Sequence, residues 1–391
     1  MWTKIYLFLK KFNGSQLVAK FVIMIRTFKY RMYPTKTQAA FIDNRLNLCR
    51  WLHNTAIEHR IISFKAGKST SYKEQANQLP EIKDAYPEFK AIHSQVLQDV
   101  LKRVDKSFKA FFRRCKFGEK PGFPRFKGKD RFHSITYPQS GFVMNGSRIY
   151  LSSIGKVKLR VHRDMIAGAK IKTCTVKKNG NHWYCSLTFE TSKISVPKKI
   201  VSSAIGIDLG LENFATLSNG ETIGNPRHLR KSEDRLKEIQ SEYSIRKTKT
   251  TKQKLIKLHR KIANQRTDFL HKESTKLINS FDMVAYEDLN IKAMVNGRYS
   301  KGIHDAGWGK FIAMIEYKAE SASTYAIPVN PYHTSQICSG CGTLVKKEIH
   351  QRFHNCPICS LSIHRDLNAA INILKSGTDS LLKMLRQLAA G

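Results

Sequence analysis

The chain has 391 residues, enough for two or three domains of ordinary size, and its 41% hydrophobic and 25% charged content sets aside wholesale disorder, collagen-like repeats and membrane channels. The abnormal quantity is charge: 68 Lys and Arg against 30 Asp and Glu leave +38, a self-repulsion that a folded chain tolerates best beside a polyanion. Nucleic acid is therefore the leading partner, ahead of a merely solvated or heparin-binding basic surface.

The opening stretch is apolar only in short runs, because Lys4, Lys10, Lys11 and Lys20 interrupt it; none approaches the roughly 18 residues of a membrane helix. No small-residue cleavage motif follows, so the expectation is a cytoplasmic chain without a membrane partner. From Ile25 a strand of alternating basic and apolar residues stops at Pro34. Thr35 and Gln38 form a capping-box pattern ahead of a helix with apolar positions Phe41, Leu46, Leu48, Trp51, Leu52, Ala56 and Ile57. A second amphipathic helix carries Ile92, Val96, Val100, Val104, Phe108 and Phe111 on one stripe. Residues 106–132 then hold ten basic side chains, two acidic ones and seven phenylalanines, with Gly and Pro forbidding a continuous helix. Such a folded-back loop can pair phosphates and stack bases, or pack its rings under the helices.

Strand-like runs follow at 147–153, 155–163, 170–178 and 182–190, the last two joined through Asn179 and Gly180 as a hairpin. Cys174 and Cys185 should face each other or the core there. Residues 204–220 read as a buried strand, a glycine turn and a second strand, with Asp208 ending the first apolar run. A helical hairpin is expected over 231–276, where fourteen Lys and Arg meet six Asp and Glu. Strand character returns around Glu287, residues 290–306 look like a mobile loop, and a helix is expected over 309–321. The stretch after Ser376 reads as a loosely held helix or tail.

Two constellations carry chemistry. Cys338, Cys341, Cys356 and Cys359 form two CxxC pairs fourteen residues apart, the spacing of two knuckles that close a tetrahedral S₄ set on one ion. Zinc is the expected ion, with iron as the alternative, and four thiolates leave no open position for catalysis. His333, His350 and His354 nearby are expected at the surface or on nucleic acid rather than on the metal. The second constellation is Asp208, Glu287 and Asp366: acids at the ends of two strands and the start of a helix, able to converge on one edge of a mixed sheet. Clustered carboxylates repel one another unless divalent cations sit among them, and two Mg²⁺ ions held this way suit attack on a phosphodiester.

The segments IGIDLGLENFATLSNG, YEDLNIKAM, DAGWGKF, TSQICSGCG and RDLNAAINI, preceded by IRTFKYRMYPTKTQ and GFPRFK, resemble the transposon-encoded TnpB proteins, relatives of the type V CRISPR nucleases. The resemblance spans Met24 to Ser376. It implies an α/β multidomain fold: an RNase H-like (RuvC) nuclease domain with an inserted zinc ribbon, plus an N-terminal wedge β-barrel interrupted by a helical recognition lobe. The implied boundaries are an extension at 1–23, the wedge barrel at 24–35 and 116–198, the recognition lobe at 36–115, the nuclease domain at 199–330 and 362–376, the ribbon at 331–361 and a tail at 377–391. It further implies Asp208, Glu287 and Asp366 as the catalytic, Mg²⁺-binding triad and the four cysteines as ligands of one structural Zn²⁺. The implied activity is RNA-guided cleavage of DNA beside a short motif, by a monomer holding a transposon-end guide RNA and target DNA, double- and single-stranded. A nuclease-inactive RNA-guided regulator is the alternative. Tyr72, Ser94, Gln95, Gln98 and Tyr137 fall near positions that read the flanking motif in relatives, and Arg113, Arg125, Lys127 and Arg131 are the phosphate contacts expected of the basic loop. One departure stands out: His364 occupies the position of the family's usual acid two residues before the third aspartate.

Overall fold

The computed structural model describes residues 21–129, 131–166, 168–194, 200–297, 299–348 and 350–390. They fall into two compact units, one within Lys20–Ser195 and the other in the chain from Val196 onward. Among the described residues no helix is long and apolar enough to cross a membrane.

In the first unit, β1 (Phe21–Tyr33) ends where Pro34 removes the next ladder donor. Its first three residues precede Met24 and already pair with the far end of another strand, so the expected extension is partly built into the sheet; residues 1–20 lie outside the described residues. Thr35 and Gln38 cap α1 (Lys36–Lys65) reciprocally, as expected. The buried stripe of α1 is Ile42, Leu46, Cys49, Leu52, Ala56 and Ile57, whereas Phe41 and Trp51 stand outside it, half exposed. The short helices α2 (Tyr72–Asn77) and α3 (Leu79–Ala85) lead to α4 (Ser94–Lys116), whose stripe Val96, Val100, Val104 and Phe108 packs into the same core.

The chain then forms β2 (Ser134–Tyr137), β3 (Phe142–Asn145), β4 (Arg148–Leu151), β5 (Gly155–Arg160), β6 (Lys170–Asn179) and β7 (His182–Ile194). With β1 these make a seven-stranded sheet in the order β2-β6-β7-β1-β5-β4-β3, every neighbouring pair antiparallel. Its two end strands, β2 and β3, are joined by residues 138–141, and the Tyr137 and Phe142 rings lie 6.4 Å apart, so the sheet curls until its ends approach. The β6–β7 turn falls one residue later than expected: Asn179 pairs with His182, and Gly180, at φ 58°, opens the two-residue loop. Cys174 and Cys185 are both buried with Sγ atoms 3.5 Å apart.

The second unit is built on β8 (Ala204–Leu209), β9 (Asn213–Leu217), β10 (Thr222–Gly224), β11 (Met283–Glu287) and β12 (Tyr325–Val329), ordered β10-β9-β8-β11-β12. The first three form an antiparallel meander, and β11 and β12 run parallel to β8. Between β10 and β11 lies the expected helical hairpin, α5 (Glu233–Ile245) and α6 (Lys249–Ser280). The segment expected as a mobile loop contains two short helices, α7 (Ile291–Met294) and α8 (Ser300–Ala306), with Ile303 and Ala306 buried; α9 (Trp308–Ala322) follows. One sheet face presents Ile205, Ile207 and Val284 to Leu270 and Leu277 of α6 and Phe311 and Ile315 of α9. The other presents Met283 and Ala285 to Ile373 and Leu381 of α10 (Arg365–Ala390). That helix runs unbroken past Ser376, so the stretch expected as a loosely held helix or tail is helical, with Leu381 buried against the sheet. Gly377 continues it because a Cβ there would meet the Ala285 Cβ at 2.5 Å. Between β12 and α10 the chain forms the small hairpin β13 (Phe353–Asn355) and β14 (Ser362–His364).

Candidate active site and metal centre

Alternation along a strand decides where the acids point. Ile205, Ile207 and Leu209 face α6 and α9, so Asp208 faces α10; on β11, Met283, Ala285 and Glu287 share that same face. The parallel register matches Tyr286 to Ile207, which sets Glu287 beside Asp208 at the carboxyl ends of adjacent strands. Asp366 lies in the first turn of α10, the helix that covers this face. Burial lifts the Asp208 carboxyl well above the usual range, and the negative charges of Glu287 and Asp366 lift it further, against the opposing pull of Arg365. Burial also raises Glu287, partly countered by a hydrogen bond from the Thr334 hydroxyl. The three expected acids are thus one electrostatic group.

Their oxygens are spread more widely than the ligands of one small ion: among the described residues, the set whose ligand atoms all lie within 4.8 Å of one another is the cysteine quartet. His364, at the end of β14, lies with Nδ1 3.8 Å from Asp366 Oδ2 and accepts the Asp366 backbone N–H at 3.3 Å.

The four cysteines come together as their spacing implies. Cys338 and Cys359 Sγ atoms are 3.5 Å apart, as are those of Cys341 and Cys356. Four sulfurs 2.3 Å from a central ion would stand about 3.8 Å apart, so the quartet fits a tetrahedral metal. Thr343 pulls the Cys341 thiol down to about 6. Gly340 relieves crowding in the knuckle: a Cβ there would meet Cys359 Sγ at 3.2 Å. His354 of β13, expected at the surface or on nucleic acid, is fully buried, with neither ring nitrogen hydrogen-bonded.

Residues 186–298 match the OrfB_IS605 family, described as "Probable transposase", residues 308–373 the "Cas12f1-like, TNB domain", and residues 24–69 a "Helix-turn-helix domain". A Streptomyces pristinaespiralis protein named "Putative RNA-guided DNA endonuclease" is 31% identical over 366 residues, covering 90% of this chain and 89% of its own length. Escherichia coli "Putative RNA-guided DNA endonuclease InsQ" is 30% identical over 380 residues, covering 90% and 92%. A mimivirus "TnpB-like protein L770" is 23% identical, covering 91% and 74%. The chain belongs to the TnpB family.

In this TnpB-family chain the expected nucleic-acid contacts divide by burial. Arg113, Arg125, Lys127 and Arg131 are exposed, and none has an acidic partner among the described residues. The loop carrying them is held in shape: Asn54 of α1 accepts the Lys127 N–H and donates to the Lys127 carbonyl, at 2.8 and 3.0 Å. Ser94 and Gln98 are exposed, Ser94 accepting from Lys83 at 2.7 Å. Gln95 is half-buried and accepts from Ser140, and Tyr72 is half-buried against the core. Tyr137 is different from the expectation. It is 2% exposed, packed on β2 beside His93 and Phe142, so its ring belongs to the core. Sequence reasoning missed Thr334, Asn368, Asn372 and Lys375, which join the ribbon to the carboxylates. The i, i+4 spacing of the two asparagines was visible, but the partners lie 29 and 38 residues away.

Proposed function

We propose that this chain is an RNA-guided DNA endonuclease that cleaves beside a short flanking motif. The observation that carries it is the placement of Asp208 and Glu287 on one sheet face under the helix that begins with Asp366. The order β10-β9-β8-β11-β12, an antiparallel meander with two added parallel strands, supports an RNase H-like (RuvC) nuclease domain. The curled seven-stranded sheet, interrupted after β1 by α1 to α4, supports a wedge barrel with an inserted recognition lobe. The names of the relatives agree with this activity.

Asp208, Glu287 and Asp366 would hold two Mg²⁺ ions, whose oxygen preference suits an all-carboxylate set. When bound, the ions supply an activated water and charge stabilisation for the leaving 3′ oxygen. The protein's part is to keep the acids apart from bulk water and fixed on rigid elements, so that little rearrangement is needed at the moment of reaction. Cys338, Cys341, Cys356 and Cys359 would hold one Zn²⁺ as a structural staple. The +38 charge answers the combined phosphates of a guide RNA and its target.

The test is cleavage of a plasmid by protein purified with its copurifying RNA and then reprogrammed with a guide against that plasmid. Mg²⁺-dependent cutting at the guided site is expected, and Asp208→Ala should abolish it with RNA binding retained. Cutting that ignores the guide, or persists in Asp208→Ala, would overturn the reading.

A further inference from the structure

Glu287 is 9% exposed, and among the described residues its carboxylate has one hydrogen-bond donor, the hydroxyl of Thr334, itself 8% exposed. Thr334 begins the segment that leads into the first knuckle, four residues before Cys338. The backbone of that segment is fastened to α10. Asn372 Nδ2 donates to the Thr334 carbonyl at 2.9 Å and to the Ile337 carbonyl at 2.6 Å. Asn368 donates to the Ile337 carbonyl at 2.7 Å and accepts the Ser339 N–H at 2.9 Å, and Lys375 donates to the Ser339 carbonyl. Positions 368, 372 and 375 share one face of the helix that begins with Asp366. Asn368 is wholly buried and bonded at both ends of its amide, an expensive arrangement unless the geometry it enforces is used.

We infer that Thr334 is a positioning residue for Glu287, and that the knuckle, clamped to α10 by Asn368, Asn372 and Lys375, sets the aim of this carboxylate toward the Mg²⁺ site. The inference rests on the reading of Glu287 as a metal ligand. One oxygen of the carboxylate is occupied by the hydroxyl, which leaves the other directed. Such outer partners of a metal ligand are typically worth about 10–100-fold in metal affinity. Glu287 on the sheet and Asp366 on the helix are then registered through a common piece of backbone, so integrity of the ribbon is felt at the carboxylates without any shared ligand.

The experiment compares Thr334→Val, Thr334→Ser and Glu287→Gln in full-length, guide-loaded protein. Mn²⁺ binding is followed by the paramagnetic resonance signal of the free ion, alongside zinc per chain and the Mg²⁺ concentration that half-saturates cleavage. Thr334→Val should weaken Mn²⁺ binding about 10–100-fold and raise the Mg²⁺ requirement in parallel, with zinc content and RNA affinity unchanged. Thr334→Ser, which keeps the donor, should return both to within about threefold of the parent. Parental Mn²⁺ affinity in Thr334→Val overturns the inference. So does a serine variant as impaired as the valine one, which would show packing in place of hydrogen bonding, or loss of zinc from the valine variant, which would show a folding role. Glu287→Gln separates the two levels. If it binds Mn²⁺ as the parent does, the reading of Glu287 as a ligand has failed; if it loses binding while Thr334→Val keeps it, only the positioning role has failed.

Discussion

Gly206 on β8 lies so close beneath Ala370 on α10 that a Cβ at Gly206 would stand 2.2 Å from the Ala370 carbonyl oxygen and 2.7 Å from the Leu374 nitrogen. Both are backbone atoms, which no rotamer change can move aside. Gly206 is two residues before Asp208, on the same face, so the absent side chain is what lets the helix carrying Asp366 settle against the strand. Gly206→Ala should cost about 1–3 kcal/mol of stability from overpacking. The larger effect should be on chemistry: a displacement of Asp366 by about 1 Å would cost on the order of 100-fold in cleavage rate. Thermal melting and single-turnover cleavage measured together check this, and an alanine variant that melts and cuts like the parent would show that the helix can shift without moving the site.

Where the sequence was legible, the controlling interactions were local. The Thr35–Gln38 capping box and the two CxxC knuckles each depend on residues within a few positions, and each appears as expected. The three acids stood out because carboxylates ending apolar runs have few structural reasons to be there. The misreadings share another cause. The stretch after Ser376 read as loosely held because its partners lie far off in sequence: Gly377 packs on Ala285 of β11, where a Cβ would meet the Ala285 Cβ at 2.5 Å. The four-residue strands β2 and β3 are too short to show a period, and Tyr137 is buried by partners such as His93, 44 residues earlier. Thr334 gave no signal, since a hydroxyl acquires its role only when folding delivers Glu287 to it.

The raised Asp208 and Glu287 carboxyls predict how stability depends on pH and Mg²⁺. Below the unfolded pKa, near 4, both states are protonated and these groups contribute nothing. As pH rises past that value the unfolded chain releases protons that the folded one retains, so stability falls until the folded pKa values are passed. Bound Mg²⁺ removes the penalty. The rise in melting temperature on adding Mg²⁺ should therefore be larger at pH 8 than at pH 5. Asp208→Asn should melt at a higher temperature than the parent without metal at pH 8, and should be inactive. Calorimetry across the pH series decides it: an Asn variant no more stable than the parent would show that the carboxylate is not strained.

Cys356→Ser should remove the metal, because three thiolates and a hydroxyl no longer match the tetrahedral sulfur set. For so small a hairpin the binding free energy is much of the folding free energy, so amide exchange should accelerate across β13 and β14 and through the segment from Thr334 to Cys341. The first unit, which shares no cysteine of this set, should keep its exchange rates. Metal analysis of the parent should give one zinc per chain. One iron per chain, or unchanged protection in the variant, would contradict this account.

Phe123 and Phe126 sit three residues apart on the basic loop, about half exposed, but their surroundings differ. Phe123 meets Phe108 and Phe111 edge-on at 5.7 and 5.3 Å, while Phe126 has no ring partner among the described residues. Phe123 is therefore an anchor of the loop on α4, and Phe126 is the ring free to stack on a base. Phe126→Ala should weaken RNA binding by about 1–3 kcal/mol, the worth of one stacked base, with no change in melting and none in salt dependence. Phe123→Ala should lower the melting temperature first. The charges behave differently again, since each lost phosphate contact flattens the log-log salt slope by about 0.7–0.9. Neutralising Arg113, Arg125, Lys127 and Arg131 together should then remove roughly three units of slope. Binding measured over a salt series separates the two kinds of contact: a slope unchanged in the quadruple variant would place the phosphate contacts on other surfaces, the α5–α6 hairpin first among them.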